Sequence, residues 1–113
     1  MAIKVAVIGA GSVGFTRGIC RDILCVPELQ DTQFAFTDIN ERNLDMVAQL
    51  MKRDIEANGV GATIECTLDR RRAIEGADYV LSFVRVGGLE GFQTDVDIPL
   101  QYGVDQCVGD TLG

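Results

Sequence analysis

Three glycines, Gly9, Gly11 and Gly14, stand in the stretch VAVIGAGSVGFT, residues 5–16. Their spacing is G-x-G-x-x-G. Glycine gives up side-chain packing, so its recurrence at fixed intervals points to backbone that turns sharply or is closely approached. Gly9 suits a tight turn out of a strand. Gly11 lets backbone approach a diphosphate, and Gly14 lets a helix lie close on the strand. A helix starting around Ser12 and Val13 offers free N–H groups and the positive end of its dipole to phosphate oxygens. Asp38 follows at the end of a second apolar run, near the offset where a dinucleotide site carries an acid. A carboxylate there can accept hydrogen bonds from both hydroxyls of an adenosine ribose. It repels a 2′-phosphate, so the pattern favours NAD over NADP. The plain structural role open to Asp38 is that of a helix cap.

Two other phosphate or nucleotide chemistries fit less well. A mononucleotide loop, G-x-x-x-x-G-K-[ST], needs lysine where Phe15 stands, and without that ammonium the terminal phosphates meet no point charge. A methyl-donor site usually has an acid just before its glycine loop, where this chain has Ile8.

The elements that position these residues are legible in outline. Residues 3–8 (IKVAVI) are apolar and largely β-branched, as in a strand buried on both faces. A helix follows to about Cys25, with Pro27 beyond it as a stop signal. Residues 33–37 form a second strand. Asp38-Ile39-Asn40-Glu41 has capping-box spacing. Leu44, Val47, Ala48, Met51 and Ile55 then recur on one helical face, and Asn58-Gly59 closes that helix with a left-handed cap. A third strand spans 62–68, and a short helix 69–76 is capped by Asp69 and ended by Gly76. A fourth strand runs over 79–86 until Gly87-Gly88 breaks it. The order β-α-β-α-β-α-β predicts an α/β fold, a Rossmann-type doubly wound parallel sheet. Beyond it the pattern predicts a helix over 97–102 despite Pro99, and a fifth strand over 103–108. The fold reads as truncated, because the final residues do not resemble a tapering end.

Composition narrows the function class. The 113 residues bound one domain. Seventeen acids against ten bases give a net charge of −7, which argues against a nucleic-acid binder. The one basic run, Arg70 to Arg72, is flanked by Asp69 and Glu75 and reads as a solvated helix face. No secretory signal and no membrane-spanning run is visible. Cys20, Cys25, Cys66 and Cys107 lack C-x-x-C spacing and the chain has no histidine. Reduced thiols of a cytoplasmic protein are therefore expected, not a zinc site.

Taken together, GAGSVGF, FTDINERNL, EGADYV, VRVGGLEGFQTDVDIPLQYGV and GDTLG resemble the amino-terminal domain of the family 4 glycoside hydrolases. The first three motifs are shared with lactate and malate dehydrogenases. The last two, with D-x-x-I-P-x-x-Y-G and D-T-x-G, separate the families. The resemblance implies an exception to two-carboxylate glycoside hydrolysis. NAD takes a hydride from sugar C3, the C2 hydrogen becomes acidic, the aglycone is eliminated, water adds, and the hydride returns. A divalent metal, usually manganese, polarises the C2 and C3 oxygens.

By the same resemblance, Gly9, Gly11, Ser12, Val13 and Gly14 belong to the pyrophosphate loop and Asp38 is the ribose acid. Val84, Val86 and Gly87 fall on the strand end lining the cofactor. Asp110 falls near the nicotinamide and sugar, as a possible catalytic residue or a loop cap. Arg85 matches an arginine that meets a phosphate in the 6-phospho-glycosidase branch, or is a surface arginine at a strand end. Asn43 stands where many members have arginine. The family's metal-binding cysteine and histidine and its tyrosine base lie beyond residue 113, and Cys107 is not the matching cysteine. Residues 1–113 are thus expected to be the NAD-binding domain of a larger enzyme, inactive without the catalytic, metal-binding part.

The D-I-P and D-T-L-G segments are more similar to the α-galactosidase branch than to the α-glucosidase branch. A fragment of a lactate- or malate-type dehydrogenase and a non-catalytic NAD-binding module are the alternatives. The expected partners are a small-molecule glycoside and further copies of the same chain, with no nucleic acid and no membrane.

Overall fold

Short β-branched and aromatic runs build four parallel strands, and the strands decide where everything else emerges. In the computed structural model, which describes residues 2–105, β1 is Lys4–Ile8, β2 is Gln33–Thr37, β3 is Thr63–Thr67 and β4 is Tyr79–Ser82. Their order across the sheet is β3-β2-β1-β4. Ile8 pairs with Thr37 on one side and Ser82 on the other, and Thr37 pairs with Thr67. All four strands therefore finish level. The chain divides into two compact units, the first ending at Phe83 and the second starting at Val84.

Three helices connect the strands: α1 (Val13–Leu24), α2 (Glu41–Asn58) and α3 (Arg70–Ile74). The steps β1 to β2 and β2 to β3 go in one direction, so right-handed crossovers put α1 and α2 on the same face. The step from β3 back past β1 to β4 puts α3 on the other. Side chains follow this division. Val5, Val7, Phe34 and Phe36 are buried in one cluster with Cys20 of α1 and with Leu44, Val47, Ala48 and Met51 of α2. The opposite face carries Ala6 and Ala35, both buried, and Ala73 of α3 is buried as well. On the β4 edge, Tyr79 and Val80 are exposed.

Local chemistry sets the helix ends. Gly59 ends α2 in the left-handed region at φ 62°, as glycine permits. Asp69 caps α3 by accepting from the Arg71 N–H at 2.9 Å. The α2 cap differs from expectation. Asn40, not Asp38, is the cap, and its side chain accepts from the Asn43 N–H at 3.0 Å. Asp38 is thereby released from the capping role. The guanidinium of Arg17 on α1 holds Asp54 on α2 through two hydrogen bonds of 2.8 and 3.0 Å. That bond keeps the Asp54 carboxyl below its ordinary range, so its contribution is present at neutral pH and is lost as pH falls through the lowered value.

Two expectations past residue 82 need correction. The fourth strand ends at Ser82 rather than 86, so Val84, Val86 and Gly87 lie on no strand. Apolarity continued along the chain, but pairing with β1 ended where β1 itself ends. The second unit then contains α4, Gly88–Leu100, where a helix was expected only over 97–102. Gly87 and Gly88 do not merely break a strand. Gly87 takes φ 84° as the helix cap, and a Cβ on Gly91 would stand 2.7 Å from the Val86 carbonyl oxygen. Pro99 lies inside α4, in its last turn, where its ring nitrogen has no N–H to give the Asp95 carbonyl. Of the expected fifth strand, residues 103–105 are turn and irregular structure, and the remainder lies outside the described residues. No helix among the described residues is long and apolar enough to cross a membrane.

Two outcomes test this packing. Phe36→Ala removes a fully buried ring and should cost about 3–5 kcal/mol of unfolding free energy in urea titration. Burial pushes the Cys20 thiol up to about 12, whereas Cys25 is exposed. Because the thiolate is the nucleophile, iodoacetamide at pH 8 should label Cys25 promptly and Cys20 only on unfolding, as read by peptide mass spectrometry.

Candidate functional site

The level strand ends bring two loops together. The β1–α1 loop carries Gly9, Ala10, Gly11 and Ser12, and the β2–α2 loop carries Asp38, Ile39 and Asn40. In an open parallel sheet this carboxyl edge, where crossovers leave in opposite directions, is where ligands bind. The direction changes here between β1, which steps to β2, and its other neighbour β4.

Gly9 takes φ 81°, a conformation that L side chains rarely adopt. The turn is fixed from the neighbouring strand. The Thr37 carbonyl accepts the Gly9 N–H at 3.0 Å and the Ala10 N–H at 3.1 Å. The buried Thr16 hydroxyl donates to the Ala10 carbonyl at 2.9 Å, tying the loop to its own helix. Ser12 is the N-cap of α1 and makes no side-chain capping bond. The first-turn N–H groups of Val13, Gly14 and Phe15 have no acceptor inside α1, as at any helix start. No acid occupies that first turn, so its dipole end stays positive.

Asp38 meets this loop directly. Its Oδ2 accepts the Gly11 N–H at 2.7 Å, and its Oδ1 accepts the Asn40 N–H at 2.9 Å. A Cβ on Gly11 would lie 2.7 Å from that Oδ2 and 3.0 Å from the Asn43 Cβ. Glycine is therefore required at 11 by the protein itself. Gly14 differs from its expected role: a Cβ there would meet nothing within 4 Å, and the residue is exposed. Helix α1 approaches the sheet through Cys20 and the Thr16 turn, not through Gly14.

Sequence reasoning missed a stacked aromatic pair and Ile39 beside the loop, and it named Asn43 only as a departure from the family pattern. Phe15 and Phe83 stack with centroids 5.7 Å apart and planes at 23°, just past the ends of β1 and β4. Asn43 closes on Gly11, and Ile39 is fully exposed beside Asp38.

Other site residues belong to the second unit. Val84 and Val86 are exposed, and Gly87 caps α4. The Arg85 guanidinium lies 5.0 Å from the centroid of the Phe92 ring, a cation–π distance. Asp110 lies outside the described residues. Among the described residues no three His, Cys, Asp or Glu side chains gather in a way that could hold a metal ion.

Comparison with known proteins agrees with this architecture. The family model "Family 4 glycosyl hydrolase" matches residues 4–113. An α-galactosidase of Rhizobium meliloti is 55% identical over 111 residues, covering 98% of this chain and 23% of that protein. The crystal structure of a 6-phospho-α-glucosidase from gut microorganisms, in complex with NAD and glucose-6-phosphate, is 30% identical with a TM-score of 0.77. The match covers 94% of this chain and 24% of that one. A 6-phospho-β-glucosidase of Thermotoga maritima with manganese, NAD+ and glucose-6-phosphate is 29% identical with a TM-score of 0.77, over 91% of this chain and 24% of that one. The chain thus spans about a quarter of the length of the proteins it matches.

The two inner glycines should respond oppositely to substitution. Gly14→Ala adds a side chain into open space on a helix and should raise stability by about 0.5–1 kcal/mol. Gly11→Ala must displace Asp38 or Asn43 and should lower it. Urea midpoints of the two variants decide whether this contrast holds.

Proposed function

Because the chain belongs to the family 4 glycosyl hydrolases, we propose that residues 1–113 are the NAD-binding domain of an NAD- and manganese-dependent α-glycosidase, α-galactosidase-like in substrate. One observation carries the cofactor reading. The open first turn of α1 and the Asp38 carboxylate, which holds the Gly11 N–H, lie together at one edge of the sheet. The substrate reading leans on the 55% identity to an α-galactosidase.

The residues fit the dinucleotide chemically. When bound, NAD supplies a hydride acceptor for transient oxidation of the sugar at C3. The N–H groups of Val13 and Gly14 and the dipole of α1 hold the diphosphate. The open space over Gly14 leaves room for it. A carboxylate has about four lone-pair sites; two on Asp38 face Gly11 and Asn40, and the others can receive the ribose hydroxyls. A 2′-phosphate there would face a fixed negative charge. By the family resemblance, Val84, Val86 and Gly87 are assigned to cofactor binding, Arg85 to the substrate, and Asp110 to the sugar and nicotinamide. By the same resemblance, the manganese ligands of this reading, a cysteine and a histidine, lie beyond residue 113.

The cytoplasm is the compartment this reading selects, where NAD and free thiols such as Cys20, Cys25 and Cys66 coexist. The remaining partners are a small-molecule glycoside and further copies of the chain.

Calorimetry should find that NAD binds at least about tenfold tighter than NADP, a difference of about 1.4 kcal/mol. Equal affinity for the two would remove Asp38 from the reading. For the whole enzyme, an α-galactoside should be hydrolysed only with NAD and manganese present, with no net NADH. In D2O the product should carry deuterium at C2. Net NADH formation would instead make it a dehydrogenase. The 113-residue chain by itself should show no turnover.

A further inference from the structure

The N–H groups of the glycine loop find their acceptors within the protein. The Gly9 and Ala10 N–H groups donate to the Thr37 carbonyl, and the Ser12 N–H donates to the Gly9 carbonyl at 3.1 Å. The Gly11 N–H donates to Asp38. Every N–H from Gly9 to Ser12 is therefore turned toward the protein. Of these four, only the Gly11 bond uses a side chain. Three of the four N–H groups donate to the backbone carbonyls of Thr37 and Gly9, which the sheet and the turn supply in any case. The fourth depends on one carboxylate.

We propose that Asp38 is a positioning residue for the phosphate loop. Its carboxylate, held between the Gly11 and Asn40 N–H groups, sets the β1–α1 loop in its binding shape before any dinucleotide arrives. The inference rests on the NAD-binding reading and deepens it. Three observations converge on it. The carboxylate bridges two loops with one oxygen to each. Gly11 has no room for a Cβ because of that carboxylate. Asn40 performs the capping of α2, so Asp38 is not needed for that task. An amide cannot substitute, because both oxygens accept from N–H groups and asparagine would turn an NH2 against one of them. Outward donors are then confined to the first turn of α1, and Asp38 affects diphosphate affinity without touching it.

The test separates this role from ribose binding by a cycle of protein and ligand changes. NAD and its 2′,3′-dideoxyadenosine analogue are titrated by calorimetry into the full chain and into Asp38→Asn. If Asp38 acts only on the ribose diol, the substitution weakens NAD but leaves the analogue unchanged, and the proposal is overturned. If it also positions the loop, the analogue should bind at least about fivefold more weakly to the variant. Failure of the parent chain to bind NAD would sink the functional reading and leave the loop to a second measurement. Amide hydrogen exchange on the unliganded parent, followed by NMR, needs neither ligand nor variant. The Gly11 N–H should be protected well above those of Val13 and Gly14. Comparable exchange at all three would overturn the proposal even if Asp38→Asn does not fold.

Discussion

The pairing of β1 with β2 is the constraint from which the site follows. Because Ile8 and Thr37 are partners, the two strands end side by side, and the Thr37 carbonyl is the next acceptor available to the chain leaving β1. It takes two N–H groups, from Gly9 and Ala10. The left-handed turn at Gly9 is what lets both point the same way. A one-residue slip of β2 would exchange Phe34 and Phe36 with Ala35 across the sheet. It would also move Asp38 away from Gly11. The buried aromatic pair and the position of the carboxylate are thus one decision, made by the register.

A chain of net charge −7 reads at first as a poor host for a diphosphate. Distance resolves the conflict. Charges beyond about 8 Å are largely screened at physiological salt, whereas first-turn N–H groups act at hydrogen-bond range. Helix α1 has no acid in its first turn. Asp38 spends part of its charge on two N–H donors. The local field at the loop therefore differs in character from the net balance, which speaks to solubility and to partners such as nucleic acid.

Much of the first unit was legible because its signals are local and redundant. The strands at 33–37 and 63–67 carry β-branched or aromatic residues bounded by polar ones, and the 44-47-48-51-55 stripe ends at a glycine. The misreadings share a cause, which is that the deciding partner is distant in sequence. The fourth strand stops at Ser82 because β1 offers nothing further to pair with, and apolarity at 84–86 carries no trace of that. Asp38 and Asn40 are both good caps by type. Only the approach of Gly11 decides that Asp38 turns away from α2. Gly14 satisfies the fingerprint's spacing, but whether a Cβ would touch the strand depends on how α1 leans, which Thr16 and Cys20 determine. The Phe15–Phe83 stack joins residues far apart in the chain and had no pattern to announce it.

The two faces of the sheet differ in grain size. One is filled by phenylalanine, valine, leucine and methionine, the other by the methyl groups of Ala6, Ala35 and Ala73. Over generations the coarse face has many ways to trade volume between neighbours, a lost methylene here recovered there. The fine-grained face has almost none, since alanine can be reduced only to glycine and enlarged only by lifting α3 off the strands. Divergence among descendants of this chain should therefore accumulate beneath α1 and α2 and stall beneath α3.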